Sequence, residues 1–481
     1  MSAVVVAGAT GFVGQALLDA LPPDQTIIAL SRSETRVDSR PNVTWRSCDL
    51  LSLLSSERAV AGADTAVYLV HSMMRPARLT QGRFEDLDLI AADNFGRAAR
   101  AAGITRIVYL GGLLPAHGTH LSRHLASRRE VELALAAHGV PVTVLRAGLV
   151  LGPGGSSFQI LLRLVRRLPV MLCPAWTGTR TQPVALADVV AMLRACLTDA
   201  GALGLTTDLG GPEVLSYREL MTATAQALGV KRRLIPVPFF SPGLSSLWVR
   251  LVTGAPRELV APLVKSLEHE MVAHDRSLQQ RLVGNGTPVA EALALAVEGE
   301  ARVSGVPGAS ALARMMSRPE APAVCSVQRL PLPETLSAVD IADEYLHWLP
   351  KALRPLLDVR VAEGRVCSVR VAGFGTPLLE LTLSEERSAP SRVLLYITGG
   401  ALARIGFVPR GRLEFREVLS RRCLLAAVHD FRPRLPWRLY RATQAVAHVF
   451  VMRLFGRHLA RLATRPPTET PELLSRQINL D

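Results

Sequence analysis

The sequence predicts an α/β protein built on a doubly wound parallel sheet, followed by a smaller α+β region at its carboxyl end. Two observations predict this fold class. Over roughly the first 150 residues, short apolar runs alternate with helical patterns, as in parallel strands joined by crossover helices. After about residue 350 the apolar runs follow one another with only turn-like residues between them, which indicates an antiparallel meander.

A glycine-rich turn separates the first predicted strand from the first predicted helix. The strand ends at Ala7, and Gly8, Gly11 and Gly14 follow before the helical pattern continues from Gln15. Gly8 allows a sharp turn, Gly11 lets the backbone approach a pyrophosphate, and Gly14 lets the helix pack closely. The helix amino terminus then offers its N–H groups to phosphates. A dinucleotide site is predicted at these residues: Gly8, Thr10, Gly11, Phe12, Val13 and Gly14.

Polar residues follow the next two strands and are expected at the same edge of the sheet, because ligands bind at the carboxyl ends of parallel strands. Ser31 and Arg32 follow the second strand, where an acidic residue would favour NAD. A hydroxyl and a cation instead suit a 2′-phosphate, so we expect NADP, with NAD as the alternative. Asp49 and Leu50 are expected beside the adenine, although Asp49 could equally cap a helix over 50–58.

Composition limits the classes of protein that this chain can belong to. The formal charge is +14, and it either marks an anionic partner or reflects an arginine-rich coding bias. No dense basic block with interleaved aromatic residues occurs, so no nucleic-acid partner is expected. The six cysteines lack metal-ligand spacing, which predicts reduced thiols and no metal site. With no leader and no long uncharged apolar run, we expect a cytoplasmic protein without a spanning helix.

The patterns divide the chain into five segments. They are a nucleotide-binding core (1–150), a substrate-side extension (151–300), a linker (301–322), a carboxyl-terminal α+β domain (323–465) and a loose tail (466–481). In the fourth segment, a last helix is predicted over about 438–462 and is edged by arginines. It either closes over the sheet or makes peripheral contact with the inner face of an anionic membrane.

Several motifs together resemble the extended and atypical short-chain dehydrogenase/reductases over roughly residues 1–290. The family motifs are Gly8–Gly14, Asp49-Leu50 and Leu145–Gly148. Three further stretches are similar to a bacterial subgroup related to the NAD(P)-binding subunit of respiratory complex I: Tyr68–Met73, Tyr109–Gly112 and Thr179–Pro183. The resemblance implies a Rossmann fold, NAD(P) binding and, in the carboxyl-terminal domain, a helix-grip, START-like sheet.

The catalytic residues of the family are replaced in this chain. Active members use Tyr-x-x-x-Lys, in which the lysine lowers the tyrosine pKa and the tyrosine moves a proton. Here His124 and Arg128 stand at those positions, and Gly111-Gly112 occupy the place of the catalytic hydroxyl. Arg128 could still bind ribose hydroxyls, and His124 is a candidate acid because imidazole titrates near neutral pH. Alternatively, both are surface residues. His71 is a second catalytic candidate, unless it is a simple loop histidine.

Two functions from different classes follow from these residues. The first is a reductase that uses NADPH on an apolar carbonyl or quinone-like substrate, in a pocket lined by Leu149–Phe158 and residues 215–275. The second is a non-catalytic NADP(H)-binding sensor or scaffold whose carboxyl-terminal domain holds a lipid or another apolar partner. The glycine turn supports both functions, and the missing tyrosine favours the second.

Overall fold

The protein is described by a computed structural model that covers 2–32, 38–71, 80–115, 121–237, 250, 252–254, 260, 266–304, 324–362, 365–406 and 411–464. The chain forms two compact units. The first comprises Met1–Arg78 and Leu87–Glu320, and the second comprises Leu79–Asp86 and Ala321–Asp481. Most of the predicted linker, from residue 305 onward, and the whole predicted tail lie outside the described residues.

The strands and helices are numbered in chain order. The strands are β1 (Ala3–Ala7), β2 (Thr26–Ser31), β3 (Val43–Ser47), β4 (Thr65–Tyr68), β5 (Thr80–Gln81), β6 (Arg106–Gly112), β7 (Val142–Ala147), β8 (Val150–Leu151), β9 (Val170–Pro174), β10 (Arg180–Thr181), β11 (Val184–Ala185), β12 (Thr206–Leu209), β13 (Leu215–Ser216), β14 (Arg233–Val237), β15 (Val324–Leu330), β16 (Leu357–Ala362), β17 (Val366–Val371), β18 (Pro377–Leu383), β19 (Arg392–Gly399), β20 (Arg412–Val418) and β21 (Cys423–Phe431). The helices are α1 (Phe12–Ala20), α2 (Leu53–Val60), α3 (Phe84–Ala101), α4 (Arg123–Ala136), α5 (Ser156–Arg167), α6 (Leu186–Thr198), α7 (Tyr217–Ala227), α8 (Ser277–Val283), α9 (Val289–Ser304), α10 (Ala338–Leu353), α11 (Trp437–Ala442) and α12 (Gln444–Ala463).

A parallel sheet of seven strands forms the centre of the first unit, in the order β12-β7-β6-β4-β1-β2-β3. Helices cover both faces, so a central strand such as β1 is buried along its whole length and is apolar throughout. The doubly wound parallel sheet predicted from the sequence is therefore confirmed. The seventh strand, β12, was not predicted, because its four residues include two threonines and an aspartate.

Local capping explains where several helices of the first unit begin. Ser216 and Glu219 form a reciprocal capping box at the start of α7. Helix α2 begins at Leu53 after Ser52, so the alternative in which Asp49 caps it is wrong. The sequence of residues 242–274 predicts a largely helical segment. Much of this segment lies outside the described residues, and 267–274 is irregular rather than helical.

The second unit contains an eight-stranded sheet in the order β16-β17-β18-β19-β20-β21-β15-β5. The six strands β16 to β21 form the predicted antiparallel meander, each paired with the next. Helices α10 and α12 pack on one face, where Tyr345, Phe415 and Phe455 meet in the core. The single last helix predicted over 438–462 is divided at Thr443 into α11 and α12. The START-like identity implied by the resemblance stays a prediction.

Strand β5 joins the second unit although its residues precede most of the first unit in the sequence. It pairs in parallel with β15. Ser326 Oγ donates to Gln81 Oε1 at 3.2 Å, and Arg329 Nε donates to Asp86 Oδ1 at 3.0 Å. Residues 79–86 are therefore an integral part of this unit.

A buried ionic cluster lies on the face of this sheet opposite α10 and α12. Successive β20 side chains alternate between the faces, so Phe415 enters the core while Glu414 and Arg416 point the other way. Both are 1% exposed. Arg392 Nε donates to Glu414 Oε1 at 2.8 Å, and Arg416 also donates to that oxygen. Burial by itself raises the pKa of Glu414, but the two guanidinium groups together hold it well below its usual range.

The structure also bears on the expectations about cysteines, metals and membrane spans. All six cysteines are free thiols, and five are buried. Across the described parts of the chain, no cluster of three or more potential metal ligands occurs. No helix there has both the length and the hydropathy needed to cross a bilayer.

Candidate functional site

The glycine turn between β1 and α1 has the geometry that the sequence predicted. Gly8 adopts a φ of +87°, which side chains rarely tolerate, and a Cβ there would lie 3.0 Å from the Leu69 carbonyl carbon. Gly11 is the N-cap of α1. A Cβ on Gly14 would lie 2.3 Å from the Gly8 oxygen and 2.8 Å from Ala9 Cα. The first turn of the helix can therefore close directly over the loop.

This arrangement fits a bound dinucleotide. The first N–H groups of a helix have no acceptor within it, and they carry partial positive charge. Because Gly8 and Gly11 lack side chains, a pyrophosphate can approach the loop backbone closely. The Phe12 side chain points elsewhere, because a Cβ on Gly155 would lie 3.1 Å from its ring. Phe12 and Val13 can therefore contribute backbone N–H groups at the start of α1.

The residues predicted to select the cofactor lie beside each other at the ends of β2 and β3. Ser31 is buried, and its carbonyl accepts from the Cys48 amide at 2.7 Å. Arg32 is an exposed residue overall, although neighbouring atoms partly desolvate its guanidinium group. Desolvation of its guanidinium lowers its pKa, and the nearby Asp49 carboxylate opposes that effect. Leu50 is held in place because Asn94 Nδ2 donates to its carbonyl at 2.8 Å.

Helix α4 carries the two residues that stand in the family's catalytic positions. The Ser122 hydroxyl accepts from the Leu125 amide and fixes the start of the helix, so His124 lies in the first turn. His124 Nδ1 is buried and has no hydrogen-bond partner within the described part of the chain. Burial, reinforced by the Arg128 guanidinium, lowers the pKa of His124 to about 3.

Two expectations for this helix are corrected by the structure. Arg128 is 7% exposed and is not a surface residue, whereas His124 is partly exposed and has its ring nitrogen Nδ1 buried. An imidazole with a pKa of about 3 is neutral at physiological pH, so His124 is not an acid that titrates near neutrality. A neutral imidazole still has one N–H donor and one acceptor nitrogen.

Arg128 lies in a buried polar cluster between the sheet and helices α3 and α4. The Tyr109 hydroxyl donates to the Arg128 carbonyl at 3.3 Å. Ser127 Oγ donates to Asp88 Oδ2 at 3.3 Å. Burial raises the pKa of Tyr109 to about 12 despite the neighbouring Arg128 guanidinium. Among the described residues, no carboxylate forms an ion pair with Arg128.

Two glycines at the end of β6 differ in the space around them. A Cβ on Gly111 would lie 2.9 Å from the Tyr109 ring and 3.3 Å from Glu132 Oε1, so a side chain there would have to displace these groups. A Cβ on Gly112 would lie 3.5 Å from Arg128 Cγ, which is an ordinary contact. Gly112 and Arg128 therefore adjoin each other at the carboxyl end of the sheet.

Two other polar residues near the carboxyl ends of the strands have different surroundings. Arg146 is engaged by Glu132, whose oxygens accept from its Nε at 3.0 Å and its Nη2 at 2.8 Å. Two of its three guanidinium nitrogens are therefore engaged within the fold. His71 is exposed just after β4, and the rest of its motif, Ser72 and Met73, lies outside the described residues.

Sequence reasoning missed Tyr68 and Asp88 as members of the buried polar cluster. Tyr68 is fully buried, its hydroxyl has no hydrogen-bond partner among the described residues, and its ring centroid lies 5.0 Å from that of Phe95. Asp88 is 2% exposed. The sequence contained a signal for both residues: Tyr68 ends an otherwise apolar strand, and Asp88 lies between leucines in α3.

Comparisons with known proteins identify a nucleotide-binding domain in this part of the chain. A family model described as NAD(P)H-binding matches residues 8–162, which include the glycine turn and α4. The chain is 30% identical over 250 residues to ceramide reductase of Caulobacter vibrioides, a match that covers 50% of this chain and 74% of that protein. The protein thus carries an NAD(P)H-binding domain.

Other relatives match shorter or more divergent stretches. The auxiliary protein GraX of Staphylococcus aureus is 33% identical over 110 residues, or 23% of this chain, and only 36% of GraX is covered. Mitochondrial NADH dehydrogenase [ubiquinone] 1 alpha subcomplex subunit 9 of Arabidopsis thaliana is 24% identical over 55% of this chain and 67% of its own. The solved NADP(H) complex of Citrobacter sp. triphenylmethane reductase is 22% identical with a TM-score of 0.49, covering 61% of this chain and all of that one.

Proposed function

Since this chain belongs to the NAD(P)H-binding atypical short-chain dehydrogenase/reductases, we propose that it is an NADPH-dependent reductase of an apolar carbonyl or quinone-like substrate. The similarity to ceramide reductase supports a lipid-like substrate. His124 and Arg128 take the places of the family's tyrosine and lysine and work differently from them.

The buried nitrogen of His124 is the observation that carries this proposal. A buried polar atom without a partner is destabilising, and such atoms persist where a ligand completes their hydrogen bonds. In the tautomer with its proton on Nδ1, the neutral imidazole donates a hydrogen bond to the substrate oxygen. Arg128, one helical turn further on, stabilises the negative charge that develops on that oxygen.

Bound NADPH supplies the hydride for this reaction. The residues of the chain orient the substrate and stabilise the developing oxyanion. Because His124 is neutral at physiological pH, the proton that completes the alcohol comes from solvent rather than from an imidazolium. This division of work differs from the tyrosine mechanism, in which the side chain itself delivers the proton.

The test is NADPH oxidation with a panel of long-chain ketones and quinones. Replacement of His124 with phenylalanine keeps a similar ring volume and removes the hydrogen-bond donor. We expect kcat to fall about a hundredfold, the usual effect of losing one oxyanion donor, with NADPH binding unchanged. Arg128→Gln should also lower kcat, while Arg129→Gln, the same charge change at an exposed neighbour, should not.

The dependence of this activity on pH distinguishes the two roles of histidine. With a pKa of about 3, His124 keeps one protonation state between about pH 5 and pH 9. In this range, the pH profile of kcat/KM should therefore contain no limb near pH 6.5 that is present in the wild type and lost in His124→Phe. A limb there that this variant removes would mean that His124 acts as a titrating acid.

A non-catalytic NADP(H)-binding module is the second candidate function. The crowding around Gly111 favours it, because a hydroxyl-bearing side chain at that position would have to displace Tyr109 or Glu132. Tight NADPH binding without oxidation by any substrate in the panel would support this function and contradict the reductase.

Arg32 supports the preference for NADP over NAD, and this preference gives a separate prediction. Replacing Arg32 with alanine removes the cation expected beside the 2′-phosphate. NADPH binding should weaken at least about tenfold, as for the loss of one charge-assisted hydrogen bond, while NADH binding stays unchanged. Isothermal titration calorimetry measures the Kd of both nucleotides. Arg58→Ala, which removes the same charge at another exposed position, is the control. Equal weakening for both nucleotides would contradict the assignment.

A further inference from the structure

The final helical segment exposes an apolar surface that the second unit does not use in its own core. On one side of α12, residues such as Met452, Phe455 and Leu459 are buried in that core. On the other side, Val446 is 60% exposed and Phe450 is 59% exposed, four residues apart on one face.

Exposed arginines lie on the same face of α12 and also in the segment that precedes this helix. Arg453, Arg457 and Arg461 are exposed and follow Val446 and Phe450 at spacings of three or four residues, so they share that side of α12. Seven arginines in total lie between 432 and 461. Asp and Glu are absent from this stretch, and it remains free of them through residue 464.

These arginines also lack ion-pair partners from the elements packed against them. The seven make no ion pair with any residue that the structure describes. The nearby acidic side chains of α10 are engaged elsewhere, since Glu344 contacts His458 at 2.7 Å and Asp343 accepts from Arg365 at 3.1 Å. Other exposed arginines of the unit do pair locally, as Arg360 does with Asp358.

We propose that this face, consisting of α11 and the exposed side of α12, docks the protein on an anionic lipid bilayer. The pattern suits an interfacial helix: apolar side chains enter the boundary between headgroups and acyl chains, and arginines contact lipid phosphates. A helix of 20 residues is about 30 Å long and can lie flat on a bilayer, held from behind by its buried side.

The direct test measures binding of the full chain to phosphatidylcholine vesicles with and without phosphatidylglycerol. We expect binding only to the anionic vesicles, weakened by added salt. The triple variant Arg453→Glu, Arg457→Glu, Arg461→Glu should bind at least about a hundredfold more weakly, taking roughly fivefold for each arginine removed. Phe450→Ser should also weaken binding, because part of it comes from apolar burial.

A matched control separates this face from the overall positive charge of the chain. Arg360→Glu, Arg365→Glu, Arg387→Glu makes an equal charge change at exposed arginines elsewhere in the unit and should leave vesicle binding within a few-fold. Equal losses in the two triple variants would overturn the proposal, as would no binding of the wild type to anionic vesicles.

Other occupants of this face give distinct results. A solution dimer that Phe450→Ser dissociates would assign the face to a second copy of the chain. Vesicle binding that appears only after removal of residues 465–481 would mean that this segment covers the face. Either result would overturn bilayer docking by the full chain. The inference goes beyond the proposed reductase and is independent of it, because vesicle binding requires neither NADPH nor turnover.

Discussion

Replacing Gly14 with alanine is expected to abolish the stabilisation of the protein by NAD(P)H. The new methyl group would lie 2.3 Å from the Gly8 oxygen and 2.8 Å from Ala9 Cα, both of them backbone atoms that cannot rotate away. Helix α1 must therefore shift off the loop, and its N–H groups lose their alignment with the pyrophosphate. At a ligand concentration one hundred times Kd, the wild type gains about 2.7 kcal/mol of stability, and the variant should gain none.

Thermal unfolding with and without NADPH measures this effect. Gly178→Ala is the matched control, because no atom lies within 4 Å of a Cβ at that position. It should keep the full ligand-induced shift. Far-ultraviolet circular dichroism without ligand separates lost binding from lost folding. A Gly14→Ala variant that retains the shift would contradict the assignment of this turn as the pyrophosphate site.

Replacing Glu414 with alanine is expected to destabilise the second unit by about 3–5 kcal/mol, the usual result of breaking a buried ion pair. Glu414 and Arg416 are each 1% exposed, so removing the carboxylate leaves buried guanidinium charge with less compensation than before. His429 does not change this balance. Burial and Arg412 lower its pKa to about 3, so it is neutral and carries no charge in the cluster.

Urea unfolding, with hydrogen exchange of the β20 peptide as the local readout, measures this loss. Asp358→Ala removes the partner of Arg360 at a largely exposed pair, and it should cost less than about 1 kcal/mol. Glu414→Gln keeps a hydrogen-bond acceptor and should fall between the two. A loss below about 1 kcal/mol for Glu414→Ala would mean that the cluster is hydrated rather than buried.

The features predicted best from the sequence depend on the backbone and on local patterns. The Gly8–Gly14 turn was predictable because each glycine acts through a missing side chain at a fixed spacing. The meander β16 to β21 was predictable because each strand is an apolar run bounded by turn residues. Strand β12 was not, because its pairing with β7 is decided by tertiary position rather than by its polar sequence.

The residues of the candidate site could be identified from the sequence, but their burial and protonation could be predicted only in part. His124 and Arg128 were located by their four-residue spacing, but that spacing does not indicate whether the helix face is buried. Burial then determined the low pKa of His124. Arg146 lies near the end of β7, and its pairing with Glu132, on a different element, was not visible in the sequence.

The participation of β5 in the second sheet has a consequence for how the protein folds and how it can be dissected. Gln81 and Ser326 are hydrogen-bonded although they are 245 residues apart, so this strand is synthesised long before its partner exists. Such distant pairing raises the contact order and slows folding, although the entropy of closing a long loop grows only slowly. No single cut of the chain releases the second unit whole. A fragment that begins near residue 321 would lack β5 and the carboxylate of Asp86, and would leave β15 as an open edge.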